Sequence, residues 1–126
     1  MEHKEEFNYD QVKEHLSKVD NFRVVSEVFK QLGDTSRVRI FWLLCHHEAC
    51  VLDISEMMEM SSPAVSHHLR PLKNSGLIVS HRIGKEVFYK AADTEQSVLL
   101  HKMIEKVMKA VLKACKKVEP DCEIEL

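Results

Sequence analysis

Ser61-Ser62-Pro63-Ala64-Val65-Ser66-His67-His68-Leu69 decides the reading of this chain. A serine followed by proline is a strong helix start. The hydroxyl of Ser61 or Ser62 caps the first free N–H groups, and proline sits in the first turn, where its missing donor costs nothing. The helix runs to about Asn74, and Gly76 closes it. Pro71 lies inside it and lacks the N–H that would pair with the carbonyl of His67, so a kink or an early end is expected there. Upstream, a short helix runs from Leu52 or Asp53 to Met58, with a tight turn at Glu59. Downstream, Leu77 to His81 and Glu86 to Lys90 read as strands flanking Arg82-Ile83-Gly84-Lys85. Short helix, tight turn, capped helix and basic hairpin is the order of a winged helix-turn-helix. In that architecture the capped helix enters the DNA major groove and the hairpin tip reaches phosphate or minor groove.

Residues 11–32 repeat apolar side chains at helical spacing, and Gly33 stops the run as a C′ residue would. Asp34, Thr35 or Ser36 then caps a helix from Arg37 to about His46. A last helix spans Asp93 or Thr94 to about Lys117. Its stripe of Leu100, Met103, Ile104, Val107, Met108 and Val111 alternates by three and four. A small domain has little left to bury that stripe against, so it reads as a dimer seam; the alternative is burial within its own subunit. The fold expected is mainly α with a small β-hairpin, dimerising through its first and last helices. Residues 1–10 form a flexible arm and 11–117 the domain, with the helix-turn-helix at about 52–75, the wing at 77–90 and the last helix at about 93–117. Residues 118–126 form an acidic tail.

With 126 residues, the chain has room for one hydrophobic core. An apolar fraction of 44% and a charged fraction of 30% are ordinary for a globular protein. No apolar run is long enough to span a bilayer. The acidic start Met1-Glu2-His3-Lys4-Glu5-Glu6 is not a signal peptide, so a cytoplasmic location without a membrane partner is expected. In that setting Cys45, Cys50, Cys115 and Cys122 are thiols or ligands rather than a disulfide framework. The net charge of −2 hides a bias. Residues 1–60 carry seven basic and twelve acidic side chains, residues 61–90 five and one, and residues 91–126 six and seven. A basic stretch inside an acidic chain marks a polyanion contact, the alternative being a solvated face.

The chain resembles the ArsR/SmtB family of bacterial transcriptional repressors from about Val25 to Ala92. Leu32-Gly33-Asp34-Thr35-Ser36-Arg37-Val38-Arg39-Ile40 is similar to the family's LxDxxRxxIL segment. Glu48-Ala49-Cys50-Val51-Leu52-Asp53-Ile54 resembles its metal box, and the Ser61–Leu69 stretch its recognition-helix signature. Leu72-Lys73-Asn74-Ser75-Gly76-Leu77-Ile78 and the Arg82–Lys85 wing follow in family order. There are departures: Glu59 stands where the turn usually has Gly, Ser62 where Gln is usual, and Pro71 interrupts the recognition helix. A non-Gly residue held left-handed costs about 1 kcal/mol. The resemblance implies a homodimer on a palindromic operator in double-stranded DNA. Ser62, Ala64, Ser66, His67 and His68 lie at the base-reading end, with Arg70 and Lys73 on phosphates and Arg82 and Lys85 in the wing. For His68, packing on the second helix is an equal alternative.

The resemblance also implies an inducer that weakens DNA binding, often zinc or another transition metal. Cys50 and Asp53 match the metal box, with His3 among the N-terminal donors offered by the other subunit; Leu52 stands where a second Cys is common. Cys45, His46 and His47 lie nearby and, with Cys50, form a set of donors zinc accepts. The alternative puts Cys45 in the core and leaves both histidines exposed at a helix C-terminus. The family's second site falls on Asp93, Glu95, Lys106 and Lys109, and the two ammonium groups cannot ligate. His101 and Glu105 share a helix face, which is more often a surface pair. Thiol oxidation at Cys115 and Cys122 is an alternative signal. A helix-turn-helix interaction or metal-storage module without DNA binding is an alternative function. No phosphate loop, nucleophile elbow or HExxH motif supports an enzyme.

Overall fold

Helix ends set the frame of this molecule, for which a computed structural model describes residues 8–114. His3, Cys115, Cys122, most of the N-terminal arm and the acidic tail lie outside the described residues. The elements in order are α1 (Tyr9–Ser17), α2 (Val19–Gln31), α3 (Thr35–His46), β1 (Ala49–Cys50), α4 (Val51–Met58), α5 (Ser62–Asn74), β2 (Ile78–Ile83), β3 (Glu86–Ala91) and α6 (Glu95–Ala114). Ser61 caps α5, its hydroxyl accepting from the Ala64 N–H at 3.2 Å. At the far end the Gly76 N–H donates to the Lys73 carbonyl at 3.0 Å and the Leu77 N–H to Leu72 at 3.1 Å, with Gly76 at φ +79°. This is a Schellman closure. The same pair of bonds ends α4: Glu59 to Glu56 at 3.3 Å and Met60 to Ser55 at 3.0 Å. Here the left-handed position is held by Glu59 at φ 54°, ψ 46°. The Ser55 hydroxyl also donates to the Met60 carbonyl across this turn. The turn of the helix-turn-helix therefore keeps its geometry without glycine.

Four expectations are corrected. Of the outcomes expected at Pro71, an early end is overturned, and α5 runs to Asn74 as its closing Gly76 implies. Leu69 and Leu72 are both buried and anchor the helix on either side of the proline. The apolar run of residues 11–32 is two helices. A capping box starts α1, in which Asn8 Oδ1 accepts from the Gln11 N–H and Gln11 Oε1 from the Asn8 N–H. The chain then breaks at Lys18, at φ −81°, ψ 67°. No glycine or proline marks that break in the sequence. Gly33 follows α2 without entering the left-handed region; the positive-φ glycines among the described residues are Gly76 and Gly84. Gly33 supplies space instead, because a Cβ there would stand 3.3 Å from the Phe29 carbonyl oxygen. Lastly, Leu100 is 5% exposed and belongs to its own subunit's core, not to a dimer seam.

The core joins Ile40, Phe41 and Leu44 of α3 to Ile54 of α4, to Val65, Leu69 and Leu72 of α5, and to Leu77 and Ile78 at the start of the hairpin. The hairpin turns through Gly84-Lys85 between the Ile83–Glu86 pair. Gly84 at φ +64° supplies the left-handed first position that a two-residue hairpin turn favours. The short strand β1, absent from the sequence reading, pairs with β3 through Ala49 with Tyr89 and Cys50 with Phe88. The sheet order is β1-β3-β2, so the wing is tied directly to the chain leaving α3. Helix α6 docks through Ser97, whose buried hydroxyl donates to the Leu77 carbonyl at 3.0 Å. No described helix is long and apolar enough to cross a membrane.

Candidate nucleic-acid interface and metal ligands

The outer face of α5 carries Ser66, His67, Arg70 and Lys73, all exposed, with Ser62 and Ala64 half-buried beside them. The burial of Val65, Leu69 and Leu72 fixes this orientation, since residues three and four apart share a face. His68 faces the other way. Its side chain is 16% exposed, and Nδ1 lies 3.7 Å from Asp34 Oδ2. This reassigns His68 from the groove to the junction between α5 and α3. Asp34 is also the cap of α3, accepting from the Arg37 N–H at 3.0 Å. That backbone hydrogen bond, helped by the nearby His68 and Arg37, holds the Asp34 carboxyl below its usual pKa of 3.8.

Arg82, Ile83 and Lys85 are exposed at the hairpin tip. At its base the His81 imidazole contacts the Glu48 carboxylate and stacks on Phe88 at 6.3 Å between ring centroids. Ser66, Arg70 and Lys73 of α5 meet Tyr89 of β3 around a cleft of about 210 Å³. The exposed face of α5 thus adjoins β3, one of the two strands of the wing. Tyr89 falls within the Glu86–Lys90 strand and nothing in the sequence singles it out.

The candidate ligands are divided. Cys50 is buried in β1, Asp53 is half-buried in the first turn of α4, and His47 is exposed. Cys45 is half-buried, and desolvation with the nearby Glu105 pushes its thiol up to about 12, which keeps it protonated. His46 turns instead toward α6. Its Nε2 lies 3.0 Å from Nε2 of His101 and 3.5 Å from Oε1 of Glu105. His101 also contacts that carboxylate oxygen. Among the described residues, His46, His101 and Glu105 are the group of three or more such side chains whose ligand atoms all lie within 4.8 Å of one another. The pair His101 and Glu105 is therefore not a surface pair: Glu105 is 2% exposed.

The profile of bacterial regulatory proteins of the arsR family matches residues 34–80. A transcriptional repressor SmtB homolog from Synechocystis is 37% identical over 83 residues, covering 66% of this chain and 63% of the relative. The cadmium resistance transcriptional regulatory protein CadC of Listeria innocua is 42% identical over 83 residues, covering 64% of this chain and 70% of the relative. The chain thus spans about two thirds of the curated relatives it matches. Among solved structures, the homodimeric winged helix-turn-helix DNA-binding domain of a possible ArsR-family regulator from Mycobacterium bovis superposes with a TM-score of 0.69. It is 28% identical, over 78% of this chain and 90% of that domain.

Proposed function

As this chain belongs to the arsR family of bacterial regulatory proteins, we propose that it is a homodimeric, sequence-specific DNA-binding repressor, released from its operator by an inducer. The observation that carries the reading is the exposure of the polar and basic side chains of α5 and of the hairpin tip. A capped helix presents Ser66, His67, Arg70 and Lys73, and the hairpin tip presents Arg82 and Lys85, all in the one basic segment of an acidic chain. Hydroxyl and imidazole groups read base edges, and the guanidinium and ammonium groups neutralise phosphates. Such a regulator works in the cytoplasm and needs no catalytic group.

The dimer reading rests on apolar surface that one subunit leaves uncovered. Phe29, Leu32 and Val38 line an apolar cleft of about 440 Å³ with Met103, Ile104, Val107, Met108 and Val111. Val107 and Val111 are 55% and 57% exposed. A second copy placed on this face by a two-fold would set two recognition helices roughly 34 Å apart, one turn of DNA. The names of the relatives, which include cadmium resistance, make a metal ion the favoured inducer. Cys50 and Asp53 of the metal box with His3, and separately the neighbouring Cys45, His46 and His47, are the donors the sequence offers for that role.

Variants of the α5 face test the reading. With DNA from upstream of its own gene, Lys73→Ala weakens binding to all sequences alike and lowers the salt slope by about one. Ser66→Ala or His67→Ala relaxes base preference with the slope unchanged. Equal loss of slope and preference in every variant, or no preference in the parent protein, overturns it.

A further inference from the structure

Glu105 is the one acidic side chain buried among the described residues, and its carboxylate is only half satisfied. Oε1 meets His46 and His101, while Oε2 has no hydrogen-bond partner. A buried carboxylate without a positive partner is costly, and so is each of its unpaired oxygens. Here two imidazoles bring Nε2 atoms to within 3.0 Å of each other and turn both toward that carboxylate. Ligands held at roughly 2.0 Å in a tetrahedron lie about 3.3 Å apart. The separations of 3.0 and 3.5 Å at His46 bracket that spacing, while His101 and Glu105 stand closer, in direct contact, and would open slightly around an ion.

From this geometry we infer that His46, His101 and Glu105 form a binding site, within one subunit, for a divalent ion of the zinc, cobalt or nickel class. Two imidazole nitrogens and a carboxylate oxygen are borderline-to-hard donors. They favour those ions over the thiophilic cadmium, lead and arsenic. Three protein ligands leave a fourth position for water, an arrangement zinc accepts. His46 and His101 are 40% and 26% exposed at the side chain, so an ion has a path in from solvent. The ion's charge offsets the buried carboxylate. None of the three residues matches the positions at which the family resemblance places metal.

The site has a consequence for regulation. His46 is the last residue of α3, with two residues between it and the strand that ties to the wing, and α3 packs on α5. His101 and Glu105 stand one turn apart on α6, which carries the exposed Val107 and Val111 further along. An ion at this point fastens the entry to the DNA-reading half to the helix proposed for dimerisation. Its occupancy therefore biases how the two recognition helices are set, and by linkage it changes DNA affinity. This coupling rests on the repressor reading; the binding of the ion does not.

The test is a titration of the reduced, chelator-treated full chain with Co(II), followed by displacement with Zn(II). Expected, in a Cys50→Ser background that removes the metal-box thiolate, are about one ion per subunit, a tetrahedral visible spectrum without a thiolate charge-transfer band, and a rise in Tm. His46→Ala, at an exposed position, and the near-isosteric Glu105→Gln both lose the spectrum and the Tm rise. Circular dichroism of the ion-free proteins checks that each variant is folded. A thiolate band, retention of the spectrum in His46→Ala, or no saturable binding overturns the site. With labelled upstream DNA, Zn(II) is expected to weaken binding about tenfold or more in the parent protein, and not in His46→Ala. An occupied site with unchanged DNA affinity overturns the coupling. An ion-free protein that binds no DNA overturns the repressor reading, while the spectrum still decides the site.

Discussion

Glu59 and Gly76 occupy equivalent positions in two successive helix closures, but only glycine holds that conformation free of strain. Replacing Glu59 with Gly is expected to stabilise the protein by about 1 kcal/mol, seen as a Tm several degrees higher. An unchanged or lower Tm would show that the Glu59 side chain compensates. Asp34 makes a second prediction, with a sign set by its lowered pKa. A carboxylate depressed in the folded state contributes stability above its unfolded value, near 3.8, and loses it as pH falls through the folded value. Asp34→Ala is thus expected to lower the urea midpoint at neutral pH, and the gap to the parent should narrow in strong acid. A gap independent of pH would assign the effect to packing. At this scale the sequence was informative where chemistry is local. The cap at Ser61 and the strained turn at Glu59 follow from near neighbours. The inward turn of His68 and the burial of Glu105 depend on α3, which lies far from both in sequence.

Elements were legible in proportion to their punctuation. Ser61, Pro63 and Gly76 bracket α5, and Gly84 marks the hairpin, so those elements fall close to expectation. The break between α1 and α2 falls at Lys18 with no such residue, and an unbroken apolar period hides it. Strand β1 is two residues long, and its pairing with β3 is a tertiary fact that no local pattern announces. The stripe on α6 was legible as a period but not in its division. Leu100 faces inward, Met103 and Ile104 are half-buried, and Val107 and Val111 face out. That division predicts where the dimer seam can be broken. An isologous interface counts each substitution twice, so Val107→Glu is expected to weaken association by about 3 kcal/mol, roughly a hundredfold. Sedimentation equilibrium measures this, with circular dichroism confirming the fold. An unchanged association constant would move the seam elsewhere.

The whole molecule carries a basic surface on α5 and the wing, an apolar face left open on α2 and α6, and a polar cluster where the end of α3 meets α6. Its family was legible because several short motifs occur in order. The cluster was not, because its ligands lie 55 positions apart in the chain and meet only when α6 folds back on α3. The claim on which the rest depends is specific DNA binding. The most direct measurement titrates the reduced, chelator-treated protein onto labelled DNA from upstream of its own gene, and onto a scrambled control, across a range of salt. The account predicts tight binding to the first and binding weaker by about a thousandfold or more to the second, with a steep salt dependence for both. Equal affinity for the two, or no binding at moderate salt, would contradict it.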